Sequence, residues 1–170
     1  MRLQITFVTK EGESLTVKAR VVEEREWRNK ELVEVSRNFY ARCTQTGDIY
    51  YFGEDVDIYD RGVIVSHDGT WLAGKGGALP GLIMPGTFLL GSRYFQELAP
   101  GVALDRAEHT RMGLTMKTLA GTFADCVEVL ETTPLEPGAQ SVKRYCPEIG
   151  LVMDNTVKLV EFDIAGADDE

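Results

Sequence analysis

The run GEDVDIYD holds four carboxylates, Glu54, Asp55, Asp57 and Asp60, within seven residues. In a strand Asp55 and Asp57 share one face, while Glu54 shares the other with Val56 and Ile58. A carboxylate among apolar neighbours either ionises against a partner or rises in pKa, and both mark working sites. Glu97, Asp105 and Glu108 flank a glycine-rich excursion that follows the run. If that excursion folds over the sheet, Glu54, Glu97 and Asp105 converge, and their oxygens with backbone carbonyls suit a hard cation such as calcium. The spacing is not that of a twelve-residue calcium loop. The alternative is a solvated pair of aspartates, with Glu54 held by an arginine or by backbone N–H groups.

Nucleophilic chemistry is poorly supported. Ser66, His67 and Asp68 are sequence neighbours, which cannot form the relay of a Ser-His-Asp triad. Two histidines and three cysteines give no zinc spacing, and His67 and His109 read as surface residues. GKGG at 74–77 lacks the remainder of a phosphate-loop pattern. No catalytic residue is assigned, and no cofactor apart from the calcium alternative.

The stretch GTWLAGKGGALPGLIMPG, residues 69–86, holds six of the seventeen glycines beside Trp71, Leu72, Leu79, Leu82, Ile83 and Met84. Glycine serves where the chain takes positive φ or approaches another group closely, and each costs entropy on folding. Loops this apolar pack on something. Either the stretch closes the core of a curved sheet, or it lids a cavity for a small apolar ligand, in the manner of bacterial half-barrels that carry lipids or lipoproteins. The second reading makes Trp71, Leu82 and Met84, with Tyr51 and Tyr94 on neighbouring strands, the ligand-binding residues.

The elements that must position these groups have period two. SLTVKARVV, LVEVSRNFYARC, IYYFGEDVDIY and VIVS form a meander punctuated by RNKE, TGD and DRG. RYFQEL, GLTMKTL, TFADCVEVLETT, SVKRYC, GLVMD and TVKLVEFDI continue the strand character. A helix over 95–111 is broken by Pro100 and Gly101. The fold expected is all-β, a single domain over 1–170 of about ten antiparallel strands in a curved sheet or open barrel, with a frayed acidic tail over 165–170. A hairpin centred on Glu136 in PLEPG sets Cys126 opposite Cys146, close enough for a disulfide, and leaves Cys43 unpaired.

YYFGEDVDIY, the glycine-rich stretch, RYFQELAPGVALDRAE and TPLEPG with KRYCPEIGLV, in that order, resemble a group of uncharacterised, often exported bacterial β-rich proteins. The resemblance spans residues 21 to about 160 and implies no activity; it implies an exported or periplasmic location, although this chain shows no signal peptide. With 170 residues and a formal charge of −9, the chain is poorly suited to nucleic acid or anionic membrane surfaces. No apolar run is long enough to span a membrane as a helix. The functions expected are a non-catalytic binding or structural module with an apolar cavity beneath 69–86, a carboxylate cation site or enzyme, or a homo-oligomer joined through exposed strands.

Overall fold

The computed structural model describes residues 1–9 and 11–164; the acidic tail expected over 165–170 lies outside them. Those residues are all-β and antiparallel, without a helix. Contacts divide the chain into two compact units. The first comprises Met1–Phe88, Tyr94–Arg106 and Thr133–Pro137, the second Leu89–Arg93, Ala107–Thr132 and Gly138–Glu170.

The first sheet runs β1 (Arg2–Val8), β2 (Ser14–Arg28), β3 (Glu31–Arg42), β4 (Ile49–Asp60) and β5 (Val63–Ser66), in that spatial order. One of the chain's two sheets is a curled half-barrel. Two-residue turns make the meander: Asn29 and Lys30 have φ of 53° and 70°, and Arg61 and Gly62 have φ of 49° and 78°. Turns with two left-handed residues match the natural twist of a hairpin. The register sets Ile5 opposite Val17, Phe7 opposite Leu15 and Val21 opposite Phe39, and Ile5, Phe7, Ala19, Phe39, Phe52 and Trp71 belong to one buried cluster. Two short strands, β6 (Trp71–Leu72) and β7 (Gly81–Met84), also pair with β4.

The second sheet contains β8 (Arg93–Phe95), β9 (Arg106–Lys117), β10 (Thr122–Thr132), β11 (Gln140–Cys146), β12 (Gly150–Asp154) and β13 (Val157–Lys158), joined in sequence order. Its small core is Cys126, Cys146 and Val152, with Leu114, Met116 and Phe123 packed against it. Charge ladders support the strands: Arg144 Nη2 lies 2.7 Å from Glu128 and Lys143 Nζ 2.9 Å from Glu131. Burial alone would lower the Lys143 ammonium, but Tyr145, Glu131 and Asp154 together hold it well above the usual range. The strand expected through TVKLVEFDI is cut short at Lys158; beyond it, Leu159 N–H donates to Val152 O.

In the β10–β11 hairpin Val127 faces Tyr145 and Thr132 faces Gln140. One pair further on, Cys126 and Cys146 are joined by a disulfide with Cα atoms 4.2 Å apart, and Cys43 is free. Titration of the denatured, unreduced protein with a thiol reagent is expected to count one free thiol; three would contradict the bridge. Removing it by Cys146→Ser should cost roughly 3 kcal/mol for a loop of this size, read from the shift in denaturant midpoint.

Candidate functional site

The glycine-rich stretch extends the first sheet. Ala73 N–H donates to Phe52 O at 2.8 Å, Trp71 faces Glu54 across β6 and β4, and Gly81 faces Tyr51 across β7 and β4. The backbone comes so close that side chains are excluded. A Cβ on Gly81 would overlap the Gln96 carbonyl, one on Gly86 the Thr46 carbonyl, and one on Gly74 would lie 2.8 Å from Thr6 O. Gly53 on β4 is excluded in the same way by the Trp71 carbonyl. Its φ of 128° accompanies the register shift between Asn38 and Tyr40, which leaves Tyr51 and Phe52 both buried where strict alternation expects one.

Beside this segment lies a solvent-open apolar pocket of about 390 Å³, lined by Phe7, Tyr50, Phe52, Leu79, Pro80 and Leu98. Leu79 N–H donates to Leu98 O at 2.9 Å and ties two of its walls together. None of the residues expected to bind a ligand is in this lining. Trp71 and Tyr51 are 5% and 4% exposed and meet edge to face at 5.3 Å inside the core. Leu82 and Met84 are half-buried on β7, paired with Tyr50 and Ile49. Tyr94 hydroxyl donates to Ile83 O at 3.4 Å. Tyr50 and Phe52 take the wall because strand neighbours point to opposite faces, away from Tyr51. Phe7 and Leu98 were not singled out from the sequence; apolar side chains distant in the chain carry no local sign of a shared wall.

A polar group surrounds Tyr51. Its hydroxyl donates to Asn38 Oδ1, and Asn38 Nδ2 donates to Ser36 Oγ at 3.4 Å. Burial, then the charges of Tyr40, Glu54 and Glu97, push the phenol well above its usual range, so it stays neutral. Glu54 and Glu97 thus act on one tyrosine. Among the described residues no group of three His, Cys, Asp or Glu side chains is placed to hold a metal ion. Asp105 contributes its backbone carbonyl, taken by the amides of Gln96 and Glu97 at 2.8 and 3.3 Å.

The remaining candidates have structural partners. Asp57 pairs with Arg37 at 3.0 Å and with His67 Nδ1 at 3.0 Å. Ser66 Oγ accepts from Asp68 N–H at 3.0 Å, and no relay forms. His109, expected at the surface, is 1% exposed. Its Nδ1 lies 3.1 Å from Leu89 O and 3.0 Å from Ser92 Oγ, and Ser92 Oγ itself donates to Leu89 O at 2.7 Å. With that carbonyl receiving both groups, Nδ1 carries the proton and is no base toward Ser92. Burial lowers the imidazole pKa, partly offset by Leu89. Gln96, 1% exposed, is one of the buried polar residues that sequence reasoning passed over, with Ser36, Asn38, Glu128 and Glu131.

Compared with known protein families, curated proteins and solved structures, the chain matches none.

Gly81→Ala is expected to destabilise by about 2 kcal/mol or more, because the Gln96 backbone must shift. Gly76→Ala, with nothing within 4 Å and a φ of 58°, should cost about 1 kcal/mol from its left-handed backbone alone. Denaturant titration compares the two; equal small losses would show that the segment does not pack closely.

Proposed function

We propose that the chain is a non-catalytic binding module whose pocket beside residues 69–86 takes a small apolar ligand. The observation that carries the reading is the all-apolar and aromatic wall of Phe7, Tyr50, Phe52, Leu79, Pro80 and Leu98 around about 390 Å³, within the size range of small-molecule sites. Bulk composition points the same way, since the net charge of −9 disfavours anionic ligands at the protein surface. The Cys126–Cys146 bridge supports an oxidising compartment, as an exported protein meets. Fluorescence titration with the neutral apolar probe N-phenylnaphthylamine tests the reading. Saturable binding is expected in the wild type and at least a tenfold weakening in Leu98→Glu, with melting temperature confirming that the variant is folded. Absence of saturable binding to the wild type contradicts it.

A second reading, self-association, rests on β5, an edge strand among the described residues whose Val63, Ile64 and Val65 are 64%, 43% and 59% exposed. Consecutive exposed β-branched residues on an edge favour pairing with another strand. Sedimentation velocity is expected to show a dimer that Ile64→Lys dissociates; a monomer at high concentration removes this reading and leaves the first untouched.

A further inference from the structure

Three of the six side chains in the pocket wall, Phe7, Tyr50 and Phe52, are aromatic. The Phe7 and Phe52 rings lie 5.6 Å apart and are tilted by 56° to one another. Tyr50 is 37% exposed, so its ring is open to solvent at the same wall. Aliphatic side chains would shield an apolar ligand from water equally well. What aromatic rings add is a negatively polarised face, which attracts a cation.

Negative charge acts on one of these rings. Burial, then the charges of Asp48 and Cys43, push the Tyr50 phenol above its usual range. Asp48 is kept ionised, because its Oδ2 accepts from Thr46 Oγ1 at 2.6 Å and its Oδ1 from Gly86 N–H at 2.7 Å, and both bonds lower its pKa. Among the described residues no salt bridge neutralises it. The chain's formal charge of −9 adds a wider field of the same sign.

The wall also selects the kind of cation. Among its six side chains the Tyr50 hydroxyl holds the one polar atom. A primary ammonium would exchange water for a wall with at most one side-chain acceptor for its three N–H groups. A quaternary ammonium has no N–H, and its methyl surface packs on rings without losing a hydrogen bond.

We propose that the pocket's ligand carries a quaternary ammonium on a small apolar body, with its methyl groups against the rings of Phe7, Tyr50 and Phe52 and with Asp48 as the opposing charge. This rests on the binding-module reading above and narrows it to one ligand class.

Displacement of N-phenylnaphthylamine by three phenols tests the proposal: 3-(trimethylammonio)phenol, its neutral isostere 3-tert-butylphenol, and anionic 3-hydroxybenzenesulfonate. At about pH 6 all three keep their phenolic protons. The cation is expected to displace the probe at a concentration at least tenfold lower than either of the others. Tyr50→Leu removes a ring and keeps an apolar wall; it should cut the cation's advantage over the isostere to about threefold or less while the isostere's own affinity holds. Asp48→Asn should weaken the cation by about threefold or more and leave the isostere unchanged. If the isostere displaces as well as the cation, or if Tyr50→Leu keeps the full advantage, the ligand class is overturned and the apolar pocket stands. A cation unaffected by Asp48→Asn overturns the role of that carboxylate. If none of the three displaces a probe that binds saturably, the ligand class falls, whereas failure of the probe itself removes the apolar-pocket reading with it. Should Tyr50→Leu fail to fold, the wild-type and Asp48→Asn comparisons decide.

Discussion

Backbone lying directly on backbone is the constraint on which the first unit depends. At Gly53 with Trp71, Gly74 with Thr6, Gly81 with Gln96 and Gly86 with Thr46, a Cβ meets main-chain atoms. These contacts let residues 71–84 line β4 as two short strands with a tight excursion between them, where an ordinary loop would stand off by a side-chain width. The entropy lost in ordering glycine is offset by burying Trp71, Ala73 and Ala78, each 5% exposed or less. Gly86 is further held by its N–H bond to Asp48 Oδ1 at 2.7 Å.

The same contacts account for the geometry of the pocket. Because β6 and β7 leave residues 73–80 between them, Leu79 and Pro80 come to stand beside Phe7, Tyr50 and Phe52. Strand alternation turns Tyr51 away from that wall, into the group with Asn38, Ser36 and Trp71. One strand, β4, therefore serves an apolar wall through Tyr50 and Phe52 and a buried polar group through Tyr51. Keeping Tyr51 neutral avoids a buried negative charge that Glu54 and Glu97 would repel.

What the sequence made legible follows period two. β3, β4 and β5 and the β10–β11 hairpin fall where apolar alternation and turn residues place them, and the hairpin register follows from the symmetry of the PLEPG turn. The alternation breaks at Gly53, because a bulge is a property of pairing and leaves no local signal beyond a glycine. Glu54, Glu97 and Asp105 share a region, but side-chain direction decides whether carboxylates meet, and Asp105 is engaged through its backbone. Gln96 was invisible because one polar residue in RYFQEL does not announce that a distant glycine receives its main chain.

The central claim is that residues 71–81 are held against β4 of the first sheet and build a fixed wall of the pocket. Native-state hydrogen exchange tests it most directly, by following the amides of Ala73, Gly74 and Leu79, which donate to Phe52 O, Ala78 O and Leu98 O at 2.8, 2.9 and 2.9 Å. Protection comparable to that of β3 and β4 is the expected result. Exchange of these three amides at the rate of an open loop, with β3 and β4 still protected, would contradict it.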